Sequence, residues 1–170
     1  MLLLLRTLKI ALFALLARRA DILAESRLVL RVWPNDCDLN FHLNDGRYVS
    51  IAGMGRVDLL TRTGLMRAAL KRKWMPVIGG TMIRYKRSLL PLERFTLVTR
   101  MIGWDEKWFY IEHRFERGDG SIAALSIVRG VLRNKSGPIP SADVLALAGH
   151  HEPSPALPDF VTQWSAIEQR

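Results

Sequence analysis

Residues 27–33 read R-L-V-L-R-V-W, and this alternation of basic and apolar positions is that of a strand with one face on a core. Pro34 stops it, and a polar stretch over 35–45 reads as a loop, with Asn44 and Asp45 as candidates to cap a following helix. Residues 48–63 then run without proline to Gly64, a natural helix stop. Within them Ile51, Ala52, Gly55 and Leu59 line one side, whereas Arg47, Asp58 and Arg62 fall on another, with Asp58 and Arg62 spaced to pair. So apolar a helix is packed over most of its circumference, and Gly53 and Gly55 predict the close approach of a sheet. Residues 65–71 add a short helical turn.

From Trp74 the pattern turns to β. Strands are predicted over 75–88, with a bulge at Gly79-Gly80, and over 95–104, 107–117 and 121–133. The last two are joined by the hairpin signal Gly118-Asp119-Gly120. One strand, one buried helix and four further strands in a meander make an α+β domain. Beyond Gly137 a short helix near 142–148 and a proline-rich linker lead to a final helix, on which Phe160, Trp164 and Ile167 share a face read as packing. At the other end, Arg6 and Lys9 interrupt an apolar N-terminal segment, and its longest charge-free run, 10–17, falls well short of the ~20 residues of a spanning helix. No A-x-A cleavage site follows it. The segment reads as a helix lying on a membrane surface or on the protein itself, with Arg18 and Arg19 at its polar end. The expected organisation is an apolar helix over 1–24, a main domain over 25–137 and a helical tail over 138–170.

Composition narrows the function. At 170 residues and 49% hydrophobic content, the chain supports one real core. A single cysteine, Cys37, rules out an internal disulfide or a paired-cysteine zinc site and fits a reducing, cytoplasmic compartment. The four histidines form no H-E-x-x-H pair, so neither metal nor cofactor is expected. The charge of +9 fits anionic lipid headgroups, the phosphates of coenzyme A or an acidic carrier protein, and equally a basic, simply solvated surface. Nucleic acid is not expected, because no helix-turn-helix, zinc finger or aromatic-basic signature accompanies the bases.

Candidate chemistry concentrates in D-L-N-F-H-L-N-D-G-R-Y, Asp38 to Tyr48. Carboxylates and amides ahead of a helix commonly form Asx-turns and caps, and a lone histidine is more often structural than catalytic. A calcium loop opening at Asp36 fails, with Phe41 where glycine is required and Arg47 where a bidentate glutamate is required. Cys37 has no neighbouring base and reads as a small buried side chain. Arg56, set between apolar neighbours on the helix, reads as a snorkelling arginine outside the site. No G-x-S-x-G elbow occurs.

The same eleven residues resemble the D-x-N-x-H-V-N-N-x-x-Y signature of hotdog-fold acyl thioesterases, and Asp38 with Tyr48 ten residues on is similar to the spacing in 4-hydroxybenzoyl-CoA thioesterases. From about Arg31 to Arg117 the chain is similar to the proteins called thioesterase superfamily member six. The resemblance implies a five-stranded antiparallel sheet wrapped around a long central helix, with additional terminal helices, and assembly as a homodimer or dimer of dimers. It also implies hydrolysis of an acyl-CoA or acyl-carrier-protein thioester, in fatty acid metabolism. Asp38 would be general base or nucleophile, with Asn40 and His42 orienting it or the water. Asn44, Asp45, Gly46 and Tyr48 would bind substrate, with free amides at the helix start polarising the carbonyl. Two residues depart from the pattern: Phe41 replaces a small or polar residue, and Asp45 a second asparagine. They leave open a domain that only binds acyl chains or membranes. A hotdog hydratase fits less well, since its D-x-N-P-x-H motif places the histidine one residue later.

Overall fold

In the computed structural model, which describes residues 2–167, the central helix α2 runs Asp45–Arg62, three residues earlier than its apolar periodicity suggests. The cause is local: Asn44 is extended and its side chain accepts from the Gly46 N–H, so the helix starts on that cap. Ahead of it lie α1 (Leu2–Leu16) and β1 (Ser26–Arg31). After it come α3 (Leu65–Arg72), β2 (Met75–Tyr85), β3 (Arg94–Trp104), β4 (Phe109–Arg117), β5 (Ile122–Asn134), the two-residue β6 (Gly137–Pro138), α4 (Ser141–Ala146) and α5 (Asp159–Ile167).

The sheet is antiparallel in the order β1-β3-β4-β5-β2, with β6 added beside β5. The four later strands are therefore not the simple meander expected. Only β3, β4 and β5 are sequential neighbours, and β2 crosses to the far edge to pair with β5, from Met75↔Arg133 to Tyr85↔Ala124. Local alternation fixes which face of a strand is buried but carries no information about its neighbour. The bulge falls where Gly79-Gly80 predicts, between Ile78 and Gly80, and a Cβ at Gly79 would collide with the Trp108 ring. With α2 packed on the inner face against β1 and β3, this is the hotdog arrangement.

Of the two glycines expected to let the sheet approach, Gly53 and Gly55, only Gly55 meets it: a Cβ there would collide with Thr99 Oγ1. Gly53 meets only the flexible end of Arg56, at 3.4 Å. Beneath this contact lies a row of polar side chains that crosses the sheet in register, Ser26↔Thr99, Thr99↔His113 and His113↔Ser126, all buried. Ser26 Oγ donates to Asp58 Oδ2 at 2.6 Å, and Asp58 pairs with Arg62 at 3.6 Å, as their spacing predicts. Arg56 Nη1 lies 3.2 Å from His113 Nε2, and His113 Nδ1 lies 2.9 Å from Thr99 Oγ1. A guanidinium only donates, so Nε2 accepts and the ring proton sits on Nδ1, toward Thr99. Burial, with Arg56 adding repulsion, holds the His113 pKa well below its ordinary 6.5, and burial pulls Arg56 down to about 10.

The polar row divides the inner core. On one side Leu43, Tyr48, Ile51, Phe95, Leu97 and Phe115 cluster, and on the other Leu65, Met101, Trp104, Phe109 and Leu132. The outer face is closed by α5, where Val161 and Trp164 pack with Tyr110 and Ile127. The face expected for that helix is thus rotated: Phe160 is 46% exposed and Val161 is buried, while the Ile167 side chain lies outside the described residues.

Helix α1 is inside-out. It turns Leu3, Arg6, Thr7, Ile10 and Ala14 toward the domain and leaves Leu4, Leu5, Leu8, Leu12, Leu15 and Leu16 exposed. The inward anchor is ionic: Arg6 Nη1 reaches Asp36 Oδ2 at 2.7 Å, and Nη2 reaches the Arg31 carbonyl at 3.2 Å. No described helix is long and apolar enough to cross a membrane.

Two stability predictions follow from the helix–sheet contact and the polar row. Gly55→Ala should destabilise the fold by about 1–3 kcal/mol through overpacking, whereas Gly53→Ala, a helix-interior change with room for its methyl, should stabilise it by up to ~1 kcal/mol. Denaturant melts giving both changes the same sign would contradict the packing. For His113, the unfolded chain binds a proton below about pH 6.5 while the folded chain resists it. Stability is therefore fully present above that pH and falls as pH drops, by at most about 1.4 kcal/mol per unit. His113→Gln, which can still accept from Arg56, should remove this part of the acid slope.

Candidate active site

The loop between β1 and α2 is organised around a buried carboxylate. Asp36, 2% exposed, accepts from Arg6 and from the Trp33 amide at 3.2 Å, and Arg47 Nε stands 3.9 Å away. From this anchor the chain makes a narrow hairpin: Cys37 bridges Leu43, the Asp38 N–H donates to the His42 carbonyl at 3.1 Å, and the Phe41 N–H donates to the Asp38 carbonyl at 3.1 Å. Phe41 sits at the tip with φ 54°, a left-handed conformation that a phenylalanine tolerates poorly. Its side chain and that of Leu39 are 77% and 96% exposed.

Asp38 forms the Asx-turn that its position suggests, Oδ1 accepting from the Asn40 N–H at 2.9 Å. His42 Nδ1 lies 3.8 Å from the same oxygen, an ion-pair distance too long for a hydrogen bond. No hydrogen bond to Oδ2 occurs among the described residues, so the turn occupies one carboxylate oxygen and leaves the other. A structural and a chemical role are compatible in this geometry.

An open cleft of about 530 Å³ collects Asp38, Asn40, His42, Asp45 and Tyr48, together with Tyr85, Lys86 and Arg87 from the end of β2. Asn44 and Gly46 do not line it. The Asn44 amide is committed to the cap, and the Gly46 N–H is shared by Asn44 Oδ1 at 3.1 Å and Asp45 Oδ1 at 2.8 Å. The Arg47 N–H is taken by the Asn44 carbonyl at 3.0 Å. The expectation of several free amides at the helix start is therefore corrected: the Asp45 N–H is the first-turn donor with no acceptor among the described residues, and a carboxylate stands beside it.

Tyr48 is buried, edge-on to Tyr85 and Phe115. Burial raises its pKa to about 12, so it serves the cleft as a wall and a hydroxyl rather than as a base. The Tyr85 hydroxyl donates to the Asp45 carbonyl at 3.1 Å, fixing the far wall to the helix start. Burial, reinforced by Asp36 and Asp38, pushes the Cys37 thiol up, which disfavours the reactive thiolate. Among the described residues no cluster of three His, Cys, Asp or Glu could hold a metal ion.

Sequence reasoning left out the other half of the molecule. A second, apolar cavity of about 280 Å³ lies between α2 and the β2–β5 side of the sheet, and Arg56 is its charged wall. A sequence signal for the buried row did exist. In β4 the inward positions Phe109, Ile111, His113 and Phe115 put one histidine into an otherwise apolar alternation.

The family model described as thioesterase-like superfamily matches residues 32–164. Over 110 residues the chain is 44% identical to Protein THEM6 from Danio rerio, covering 64% of this chain and 54% of that protein. Over 146 residues it is 35% identical to Protein THEM6 from Xenopus laevis, covering 85% and 69%. The chain thus spans between about half and two thirds of these relatives. Among solved structures it superimposes on the YbaW probable thioesterase from Escherichia coli with a TM-score of 0.67 at 15% identity, covering 74% of this chain and 98% of that one. On the BH1999 gentisyl-coenzyme A thioesterase the TM-score is 0.62 at 22% identity, covering 72% and 98%. The family model includes the Asp38 loop, and the solved structures share the fold: the chain belongs to the thioesterase-like superfamily.

Proposed function

We propose that this protein hydrolyses an acyl thioester in the Asp38 cleft. The observation that carries the reading is the meeting of Asp38, with one carboxylate oxygen unengaged, and the N-terminus of a buried helix in one cleft that also holds His42 and Tyr48. The thioester carbonyl would seat over the first turn of α2, where the Asp45 N–H and the positive end of the helix polarise it. Asp38 Oδ2 then removes a proton from water as the water attacks, or attacks the carbonyl itself to give a mixed anhydride that water opens. In either case the carbon–sulfur bond breaks and the thiol leaves with a proton. His42, whose Nδ1 is 3.8 Å from Asp38 and 3.4 Å from the Leu43 carbonyl, orients the attacking water, and Lys86 and Arg87 at the rim suit the phosphate of coenzyme A or of a carrier protein's prosthetic arm.

Asp45 works against this chemistry, because its charge lies where negative charge develops on the carbonyl oxygen. Asp38→Asn keeps the Asx-turn acceptor and removes the base, so kcat/KM toward an acyl-CoA should fall about a hundredfold or more with little change in stability. His42→Ala should cost less. Asp45→Asn should raise the rate about fivefold, since one charge a few ångströms away in a solvated cleft is worth ~1 kcal/mol. A folded Asp38→Asn protein with full activity would sink the reading.

A second reading, association with a lipid surface, is favoured by one observation: α1 points its leucines outward and its arginine inward. Lys9, Arg18 and Arg19 beside that apolar face suit anionic headgroups. Deleting α1 would strip Arg6 from Asp36, so the better probe is the triple change Leu8→Gln, Leu12→Gln and Leu15→Gln. With roughly 1.5–3 kcal/mol at stake per buried leucine, partitioning onto phosphatidylserine vesicles should drop at least a hundredfold. Undiminished cosedimentation with the vesicles would rule the surface role out.

A further inference from the structure

The apolar cavity on the other side of the polar row has an unusual wall. Val57, Leu60, Met101, Ile111 and Leu132 make it a place for hydrocarbon, yet Arg56 stands among them. Its only hydrogen-bond partner among the described residues is the neutral ring of His113, and no described carboxylate lies within 4.0 Å of it. A guanidinium half-buried against apolar side chains and left without an anion is costly, and the depression of its pKa to about 10 by burial reflects that cost. Neighbouring cations are treated differently: Arg6 is paired to Asp36 and Arg62 to Asp58. His113 cannot supply the missing charge, but through the Thr99 contact it fixes where the guanidinium points.

We propose that this cavity binds an aliphatic chain ending in a carboxylate, with the carboxylate paired to Arg56. A carboxylate matches the planar fork of a guanidinium, and a partly desolvated pair of this kind is stronger than one in water. The cavity holds about 280 Å³, room for on the order of ten methylene-sized groups at ~30 Å³ each. Two sources share this chemistry. One is a free fatty acid, the product that thioester hydrolysis releases. The other is an acyl group bearing a second carboxylate at its far end, since Arg56 lies eleven residues along α2 from Asp45, about 16 Å at 1.5 Å per residue. The binding stands without the thioesterase reading, and only the origin of the ligand rests on it.

The test compares decanoate with decanol by isothermal titration calorimetry on the full chain. Decanoate should bind at least tenfold more tightly. Arg56→Met, which keeps length and removes charge, should abolish that preference, and Arg56→Lys should retain part of it. Equal affinity for acid and alcohol in the parent protein, or a preference that persists in folded Arg56→Met, overturns the proposal. Should Arg56→Met fail to fold, a diazirine-bearing decanoate analogue locates the site in the parent. Crosslinks on residues 53–66 are expected, and crosslinks confined to the loop over 38–48 overturn it. Two further arms separate the sources. Inhibition of acetyl-CoA hydrolysis by decanoate that Arg56→Met relieves points to the free acid, whereas faster hydrolysis of a long dicarboxylic monothioester than of a plain acyl-CoA of equal length points to the acyl group. Binding of decanoate with no turnover of either thioester upholds this site and removes the thioesterase reading.

Discussion

The molecule depends on how closely α2 lies against its sheet. At Gly55 the helix backbone approaches Thr99 with no side chain between them, and the rest of the interior is arranged around that depth. A helix held so low can bury Asp58 against Ser26 and bring Arg56 within reach of His113. It also delivers its N-terminus to the level of the Asp38 hairpin, where Asn44 both caps the helix and ends the loop. One missing methyl group thus positions the polar row, the two halves of the core and the cleft.

The polar row makes the two ends of α2 chemically different. Toward its start are Tyr48, Phe115 and an open cleft whose charged groups are exposed to water. Past the row are aliphatic side chains and a half-open apolar cavity with the Arg56 guanidinium in its wall. Burying four polar side chains in a row is tolerable because hydrogen bonds tie it to α2, from Ser26 to Asp58 and from Arg56 to His113, and to itself, from His113 to Thr99. Ser126 Oγ is the exception, buried with no hydrogen-bond partner among the described residues.

Much of this was legible in the sequence, for reasons that differ by element. The strands themselves, the bulge at Gly79-Gly80 and the apolar face of α2 were readable because each is set by local chemistry, while the ends of β1, β2 and β4 fall two or three residues from the alternation. The grouping of Asp38, His42, Asp45 and Tyr48 was readable because eleven consecutive residues span it. Three things were hidden. Whether Asn44 faces a substrate or its own helix depends on a side-chain rotamer, and here the cap took it. The position of β2 beside β5 depends on a pairing about fifty residues apart. Arg56 read as a snorkelling arginine outside the site because a helix wheel shows which residues share a face and says nothing of what that face meets.

That distant pairing also has a bearing on how the chain reaches its fold. During synthesis β2 is made well before β5, the strand it needs, and its residues Val77, Ile78 and Ile83 must wait while β3 and β4 appear and pair with each other. Contacts this far apart in sequence pay their loop-closure entropy late, and they slow folding. The waiting strand is an unpaired, partly apolar edge of the kind that invites aggregation. On the ribosome, therefore, the vulnerable interval for this protein opens when Met75–Tyr85 emerges and closes only when Ile122–Asn134 has followed it out.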